Sequence, residues 1–219
     1  MINLLNTVTT GDARLLSTQI PDESIDLIFT DPPYIKKDIY LYGWLSEEGD
    51  RVLKPDGFLM AYVGTHWKFE AMQLLSSHLT YYWDCVEIHR HNKPFMWATG
   101  AHASYKSILV FAKHRGHKPR KQFFDAWTGS GEDKRYHLWG QNESTARYYI
   151  DCFSRSGDTI WEPFCGGGTI PVVCTVLRRN FIGFEIDPAT ADIARKRLET
   201  VQPLLMPEEM TQFSLEVPA

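Results

Sequence analysis

The stretch Thr159-Ile-Trp-Glu-Pro-Phe-Cys-Gly-Gly-Gly-Thr169 predicts a buried strand, a glycine-rich turn and the start of a helix that extends to about Arg178. A second strand, Phe181–Glu185, follows that helix. Asp187 and Pro188 then supply an N-cap and a first helical residue, so another helix begins there. Strands that alternate with helices in this way predict one mostly parallel sheet and therefore an α/β fold.

The remainder of the chain continues this alternation. Short apolar runs predict further strands, and amphipathic segments predict further helices. The predicted strands are Ser24–Thr30, Phe58–Val63, Tyr82–Arg90 and Tyr105–Ala112, and the predicted helices are residues 40–53, residues 66–79 and Ser144–Phe153. The expected fold is a twisted, mostly parallel sheet with helices on both faces, to which the strands between Tyr82 and Ala112 add an antiparallel edge hairpin. A single domain at residues 1–200 is expected to precede a tail at residues 201–219.

Composition excludes several classes of protein. The chain has 219 residues, of which 43% are hydrophobic and 13% aromatic, so it can bury a core of its own and disorder throughout is excluded. The N-terminal residues lack the basic and apolar regions of a signal peptide, and no apolar run approaches the ~20 residues of a membrane span. The four cysteines form no CxxC pair and no metal-ligand spacing. We therefore expect reduced thiols and a cytoplasmic location.

The charge of the chain is unevenly distributed. The formal net charge is −4, yet the window Val86–Lys121 contains eight lysines and arginines against a single acid, Glu87. Five of the eight histidines fall in the same window. A basic stripe on an otherwise acidic protein indicates contact with a polyphosphate on one side of the molecule.

The motif Asp31-Pro-Pro-Tyr34 follows the predicted strand Ser24–Thr30, at the strand end where open α/β sheets bind ligands. Two prolines fix the backbone and remove two N–H donors, which leaves rigid carbonyl acceptors beside a carboxylate and an aromatic ring. This combination suits a planar heterocycle with an exocyclic amine, because the carboxylate and a carbonyl can accept its hydrogens while the ring stacks. An ordinary Asp-Pro-Pro turn with a packed tyrosine is the alternative.

The glycine-rich turn Glu162–Thr169 has the features of a ligand-binding turn. Its glycines let the backbone approach a ligand closely at the start of a helix. It lacks the lysine of a Walker A loop. Glu185 ends the next strand, where an acid in such a unit is placed to bind ribose hydroxyls. A tight strand-to-helix connection and a solvated strand end are the alternatives.

Together these motifs resemble the S-adenosylmethionine-dependent amino methyltransferases of DNA, which methylate exocyclic nitrogens. The resemblance covers roughly residues 8–199. The catalytic motif precedes the cofactor loop, which is similar to the β-type order of motifs in that family. The matching segments are Gly11-Asp12, Ser24–Ile28, Asp31–Tyr34, Leu53–Gly57, Glu162–Thr169, Arg179–Asp187 and Arg195–Leu198.

The resemblance implies a Rossmann-like methyltransferase fold with a circularly permuted motif order, and S-adenosylmethionine as the cofactor. The implied catalytic residues are Asp31, Pro32, Pro33 and Tyr34. The implied cofactor-binding residues are Asp12, Asp31, Pro163, Phe164, Gly166, Gly167, Gly168, Thr169, Glu185 and Gln141. Two departures from the family pattern are Glu162, which stands where the cofactor loop usually has Asp, and Gln141, which stands where the segment before the Ser144–Phe153 helix usually has Lys.

The implied partner is double-stranded DNA with the target base flipped out, because the exocyclic amine is inaccessible within a duplex. The implied DNA contacts are Arg90, Lys93, Lys113, Arg115, Lys118, Arg120 and Lys121. Neither a metal nor a membrane is implied. The segment that usually carries an insert for target recognition, residues 113–136, is short here. A short target, a homodimer and a separate specificity partner all remain open.

Asp31 at the first position of the catalytic motif favours adenine N6 over cytosine N4 as the methyl acceptor, as in restriction-modification enzymes of this family. Cytosine N4 remains an alternative with the same site. The sequence is also compatible with a non-catalytic, methyltransferase-like DNA-binding subunit, or with the same chemistry on RNA. Three aromatic residues are candidates for stacking on a base, but we expect them to be core residues, since aromatic side chains usually are: Phe95, Trp97 and Trp127.

Overall fold

The secondary structure alternates as the sequence predicts. In the computed structural model, which describes residues 4–33, 35–89, 94–97, 99–129 and 143–203, ten strands and six α-helices are formed. The strands are β1 (Thr7–Thr10), β2 (Ile25–Thr30), β3 (Leu53–Val63), β4 (Thr80–Ile88), β5 (Phe95–Met96), β6 (Ala101–His102), β7 (Tyr105–Ala112), β8 (Ala126–Thr128), β9 (Thr159–Glu162) and β10 (Asn180–Glu185). The helices are α1 (Ala13–Leu16), α2 (Leu41–Val52), α3 (Lys68–Leu75), α4 (Glu143–Phe153), α5 (Thr169–Val176) and α6 (Pro188–Glu199).

Eight strands form one sheet in the order β1-β10-β9-β2-β3-β7-β4-β8. The five strands from β1 to β3 are mutually parallel. β7 is antiparallel to both of its neighbours, β3 and β4, and β8 adds a parallel edge strand beside β4. The predicted mostly parallel sheet with an antiparallel pair is therefore confirmed. The pair, β4 and β7, does not form the edge of the sheet, because β8 lies beyond β4.

Helices cover both faces of the sheet, as predicted. Helices α4, α5 and α6 pack on one face through side chains such as Tyr149, Val173 and Ala194. Helices α1, α2 and α3 pack on the other through side chains such as Leu45 and Leu75. Every residue of the central strand β2 is buried, which explains why it carries apolar side chains on both faces of the sheet.

The strand predicted at Phe58–Val63 begins earlier, because the segment Leu53–Gly57 belongs to β3 as an irregular beginning. Ile25 pairs with Leu53, whereas Leu27 pairs with Phe58, so the register of β3 shifts between these two pairs. A proline within this irregular stretch cannot donate to a ladder, which is why a strand tolerates it there. The irregularity brings Lys54 against the buried carboxylate of Asp26 at 2.7 and 2.8 Å.

One predicted helix end and one predicted helix start can be compared with the structure. The helix expected to reach residue 79 ends at Leu75, because the hydroxyls of Ser76 and Ser77 donate to the carbonyls of Met72 and Leu74, both at 2.7 Å. The predicted start of α6 is confirmed: Asp187 Oδ2 accepts from the Thr190 backbone N–H at 2.8 Å and Pro188 is the first helical residue. Within the described residues, no helix is long and apolar enough to cross a membrane.

Candidate active site

The carboxyl ends of β1, β10, β9 and β2 surround a cavity of about 580 Å³. The connections after β9 and β10 lead to helices on one face of the sheet, and the connection after β2 leads to a helix on the other. The cavity thus lies at the point where the connections diverge, which is where open α/β sheets bind ligands. Seven of the residues predicted for the site line it: Asp12, Asp31, Pro32, Pro33, Pro163, Phe164 and Glu185.

Asp31 directly follows β2 and forms an ion pair with Lys106 of β7. Lys106 Nζ donates to both carboxylate oxygens of Asp31 at 2.9 Å, and the two side chains are 16% and 22% exposed. Pro32 is buried and Pro33 is exposed at the cavity rim. Sequence reasoning counted Lys106 only as part of the basic window. Locating it at Asp31 requires knowing that β7 pairs with β3 and begins at this edge of the sheet.

Glu162 ends β9 and connects it to β2. Its Oε1 accepts from the Thr30 hydroxyl at 2.5 Å and from the Phe164 backbone N–H at 2.9 Å. Burial raises the pKa of this carboxyl to about 8, and the two hydrogen bonds only partly oppose that rise. The buried side chain of Glu162 therefore fixes the turn after β9 relative to the end of β2, which Asp31 follows.

The turn after Glu162 is shaped by its glycines. Gly166 and Gly168 adopt φ values of 52° and 82°, in the left-handed region that disfavours side chains. A Cβ on Gly168 would lie 2.8 Å from the Cβ of Ala194 in α6, so the turn also needs a glycine there for close packing. Four residues that the resemblance implies as cofactor contacts are not among the residues that line the cavity: Gly166, Gly167, Gly168 and Thr169.

Arg197 of α6 is a site-supporting residue that sequence reasoning did not single out. Its guanidinium donates to the Gly167 carbonyl and to Glu143 Oε1, the latter at 2.9 Å. One side chain thereby joins α6, the glycine turn and the first residue of α4. The sequence signal for it was the family-matching segment Arg195–Leu198, in which no single residue had been given a role.

Glu185 presents its carboxylate at the cavity from the end of β10. Oε2 accepts from the Gly166 N–H at 2.8 Å, and Oε1 accepts from the Asp187 N–H at 2.9 Å. A carboxylate has about four acceptor positions, so these two bonds orient the group and leave capacity for hydroxyl donors. This is the arrangement that a ribose diol requires.

Asp12 lies on the wall of the cavity and is bound by Arg14. It accepts from the Arg14 backbone N–H at 2.9 Å and from the guanidinium at 3.1 and 2.7 Å. These hydrogen bonds lower the pKa of Asp12, so the group carries its charge at neutral pH. Arg14 also donates to the Tyr40 hydroxyl at 3.2 Å, which connects this wall of the cavity to the segment before α2.

Four predicted site residues lie outside the described residues: Tyr34, Gln141, Arg90 and Lys93. In the described part of the chain, no group of His, Cys, Asp and Glu side chains is arranged to hold a metal ion. The four cysteines are buried and unpaired.

The expected DNA contacts between Lys113 and Lys121 lie at the opposite edge of the sheet from Asp31. β7 begins beside Asp31 and, being antiparallel to β3, ends at the far edge, where Ala112 pairs with Phe58. The connection that follows β7 therefore begins at that far edge. Arg115 and Lys118 belong to this connection, Arg120 pairs with Asp56 at 2.8 Å, and Lys121 pairs with Asp151 at 2.6 Å.

Lys113 itself is buried, which corrects its assignment as a DNA contact. Its ammonium donates to the Leu53 carbonyl at 2.8 Å and to Glu23 at 2.9 Å. These bonds fasten the end of β7 to the beginning of β3. A buried lysine with these partners cannot reach a phosphate without breaking that connection.

A two-stranded ribbon formed by β5 and β6 extends the sheet at the edge where Asp31 lies. Ile88 pairs with Tyr105, and the ribbon continues through the Ala103 N–H to Pro94 carbonyl bond of 2.9 Å. Trp97 at its tip is 88% exposed, so the expectation that this tryptophan is a core residue is wrong. Phe95 is also exposed and packs edge-on against Trp97, with ring centroids 4.8 Å apart, so it is not a core residue either. The ribbon presents aromatic surface to solvent at this edge of the sheet.

Trp127 differs from the ribbon aromatics because it is packed. Its ring stacks on that of Tyr148 in α4, with centroids 3.9 Å apart and planes 9° apart. The partly buried pair packs against the core on the α4 face of the sheet, as expected for Trp127.

The family model for DNA methylases of the N6 and N4 type matches residues 25–196. Among curated relatives, the type II methyltransferase M.HpaI of Haemophilus parainfluenzae is 26% identical, over 83% of this chain and 70% of its own. The DNA adenine methyltransferase YhdJ of Escherichia coli K12 is 27% identical, over 90% of this chain and 84% of its own.

Solved structures of methyltransferases share the fold. The M1.HpyAVI complex with S-adenosylmethionine superposes with a TM-score of 0.74 at 21% identity, covering 88% of this chain and 98% of that one. The cytosine-N4-specific PvuII DNA methyltransferase superposes with a TM-score of 0.76 at 16% identity, covering 94% of this chain and 89% of that one. The predicted Rossmann-like methyltransferase fold is confirmed.

Proposed function

The chain belongs to the family of N6 and N4 DNA methylases, and on that premise we propose that it transfers a methyl group from S-adenosylmethionine to the N6 amine of adenine in duplex DNA. The observation that carries the proposal is that the carboxylates of Asp31 and Glu185 line one cavity at the carboxyl ends of parallel strands. One is suited to an amine and the other to a ribose diol, so a base and a nucleoside cofactor can meet between them.

The cavity residues fit S-adenosylmethionine. Glu185 is oriented by two backbone N–H groups, one of which belongs to Gly166 of the glycine turn. When bound, the cofactor supplies a methyl group on a positively charged sulfur. The solved relative that contains S-adenosylmethionine supports this cofactor.

Asp31 and Pro32 act on the amine. The Asp31 carboxylate and the Pro32 carbonyl accept the two amine hydrogens, which favours the pyramidal nitrogen whose lone pair can attack the methyl group. The bond from the methyl carbon to sulfur breaks as the bond to nitrogen forms, so S-adenosylhomocysteine would leave and the methylated nitrogen would release one proton to solvent. No strong base is needed, because alignment of the reacting atoms contributes most of the rate; well-oriented groups can supply ~7–11 kcal/mol. Tyr34, from its place in the sequence motif, is proposed to stack on the flipped base.

Adenine is favoured by two observations. The catalytic motif begins with Asp31, and a curated relative that covers most of the chain is an adenine methyltransferase. Cytosine N4 is the second candidate, supported by the likeness of the fold to a cytosine-N4-specific enzyme. Both bases present the same exocyclic amine to Asp31.

We propose that the β5–β6 ribbon, and not the stretch between Lys113 and Lys121, makes the main contact with the duplex near the flipped base. The ribbon leaves the sheet at the edge where Asp31 lies, and its tip carries the exposed ring of Trp97. Aromatic rings stack on unpaired bases and can fill the space that a flipped base leaves. A homodimer or a specificity partner is proposed to supply further target recognition, since residues 113–136 are few.

The test is methyl transfer from labelled S-adenosylmethionine to unmethylated duplex DNA, followed by nucleoside mass spectrometry. The proposal predicts label in N6-methyladenosine. Label in N4-methylcytosine would replace adenine by the second candidate. Binding of the cofactor without label in DNA, tested beside single-stranded RNA, would contradict duplex DNA as the substrate.

A further inference from the structure

Lys106 is held in place by more than its contact with Asp31. Its ammonium lies 4.4 Å from the centre of the Tyr62 ring. The Tyr62 hydroxyl donates to Glu87 at 2.8 Å, and Glu87 is paired with Lys106 across β4 and β7. Tyr62 and Glu87 are both buried. The position of this ammonium is therefore fixed by Tyr62 of β3, Glu87 of β4 and Asp31 after β2. A lysine side chain is flexible on its own.

Stability alone does not account for this arrangement. Removing two charges from water costs free energy that their attraction repays only in part, and apolar replacements of such pairs are often neutral or stabilising. Here one member of the pair, Asp31, lines the proposed active site and is the carboxylate proposed to bind the substrate amine, and the Lys106 ammonium lies 2.9 Å from it. The position of Lys106 thus suggests a role toward the substrate.

An ammonium beside a carboxylate presents a hydrogen-bond donor next to an acceptor. Asparagine and glutamine present the same pair when they bind adenine through an amine and the neighbouring ring nitrogen. The amine-bearing edge of adenine offers N6–H and the acceptor N1, and that of cytosine offers N4–H and the acceptor N3. Guanine and thymine offer the reverse, a carbonyl next to a ring N–H.

Building on the proposed function, we propose that Asp31 and Lys106 together recognise the amine-bearing edge of the flipped base, with Asp31 accepting from the exocyclic amine and Lys106 donating to the adjacent ring nitrogen. Lys106 transfers no proton and takes part in no covalent step. It orients the base so that the amine points along the line of attack. Bases with a carbonyl at this edge are rejected, because their oxygen would face the carboxylate.

The experiment combines a substitution in the protein with an atomic change in the base. Wild type and Lys106→Met are compared on an oligonucleotide that wild type methylates, with the target adenine either unmodified or replaced by 1-deazaadenine, which lacks N1. For a cytosine target, 3-deazacytosine takes its place. Methionine retains a long unbranched stem but removes the donor.

If Lys106 donates to the ring nitrogen, Lys106→Met lowers kcat/KM on unmodified DNA by about tenfold to a hundredfold, the range for a hydrogen bond to a charged group. The same substitution then has little further effect on the deaza substrate. Equal losses on both substrates would overturn the inference, because they would indicate a role in holding Asp31 alone. Absence of methylation by wild type on every unmodified duplex would instead contradict the proposed function, and the inference with it.

Lys68→Met is the matched control. Lys68 also pairs with a partly exposed carboxylate, Asp84, but it lies in α3, away from the cavity. Its substitution should leave the ratio of rates on the two substrates at the wild-type value. Equal cofactor-induced thermal shifts for wild type and Lys106→Met would show that the variant is folded.

Discussion

Glu162 accepts a 2.5 Å hydrogen bond from the hydroxyl of Thr30, and this bond joins the ends of β9 and β2 immediately before Asp31. The glycine turn follows one of these residues and the catalytic motif follows the other. Two segments separated by 132 positions in the chain are therefore held in register by one buried pair. The relative position of the glycine turn and the Asp31 carboxylate depends on it.

The buried carboxyl of Glu162 predicts a specific pH dependence of stability. Its pKa of about 8 in the folded protein is above the ordinary value of 4.5 that applies when the chain is unfolded. Between these values the folded state holds a proton that the unfolded state has released, so the free energy of unfolding falls as pH rises from about 4.5 to about 8. The full contribution corresponds to roughly 3–5 kcal/mol.

Glu162→Gln should remove this dependence, because an amide stays neutral and its oxygen can still accept from Thr30. The measurement is urea unfolding of both proteins between pH 5 and 8.5, with the difference between them plotted against pH. The variant should gain stability relative to wild type as pH rises. A difference in unfolding free energy that does not change with pH would show that the carboxyl does not titrate in this range.

Glu185→Gln is expected to weaken cofactor binding about tenfold to a hundredfold, because it replaces a charged acceptor for the ribose hydroxyls with a neutral amide. Calorimetric titration with S-adenosylhomocysteine measures the change in Kd. Glu199→Gln, an exposed residue at the end of α6, is the control and should bind as wild type does. An unchanged Kd for Glu185→Gln would remove this residue from the binding site.

Gly168→Ala should destabilise the protein through both strain and crowding. A left-handed backbone costs an alanine roughly 1–2 kcal/mol, and the 2.8 Å approach to Ala194 adds about 1–3 kcal/mol of overpacking. Gly116→Ala separates the two effects, since Gly116 has a φ of 91° but no atoms within 4 Å of the added methyl. The difference in unfolding free energy between the variants measures the crowding, and equal losses would show that α6 moves away without cost.

Trp97→Ala should weaken binding of duplex DNA by about fivefold to a hundredfold, since stacking on a base contributes ~1–3 kcal/mol. Cofactor affinity should not change, because Trp97 does not line the cavity. The double variant Arg115→Ala/Lys118→Ala removes two charges at the opposite edge and is expected to bind DNA nearly as wild type does. Fluorescence anisotropy with labelled duplex measures both. A larger loss of DNA affinity in the double variant than in Trp97→Ala would indicate that the stretch between Lys113 and Lys121 makes the main contact with DNA.

The elements that the sequence predicts well are those with local signals. The strand Thr159–Glu162, the glycine turn after it and the Asp187 cap of α6 each follow from neighbouring residues, and all three are present. The same holds for the clustering of Asp31 and Glu185, because parallel strands bring their carboxyl ends to one edge.

What the sequence does not predict depends on which strands are neighbours. Lys106 and Lys113 lie at the two ends of one strand, and composition groups them as a single basic stripe. Only the antiparallel pairing of β7 with β3 shows that one contacts Asp31 while the other is buried at the far edge. Likewise, the residues around Trp97, the only tryptophan between Trp83 and Trp127, give no local sign that it is at the tip of a projecting ribbon.

The role proposed for Asp31 is measured by single-turnover methyl transfer by wild type and Asp31→Asn, with cofactor affinity measured on the same preparations. Asparagine retains the shape of the side chain but lacks the charge that pairs with Lys106 and accepts from the amine. Asp192→Asn, an exposed carboxylate on α6, is the matched control. We expect Asp31→Asn to bind the cofactor and to lose at least about a hundredfold in rate, which corresponds to roughly 2.7 kcal/mol of transition-state stabilisation. A rate equal to that of wild type would contradict the central role given to Asp31.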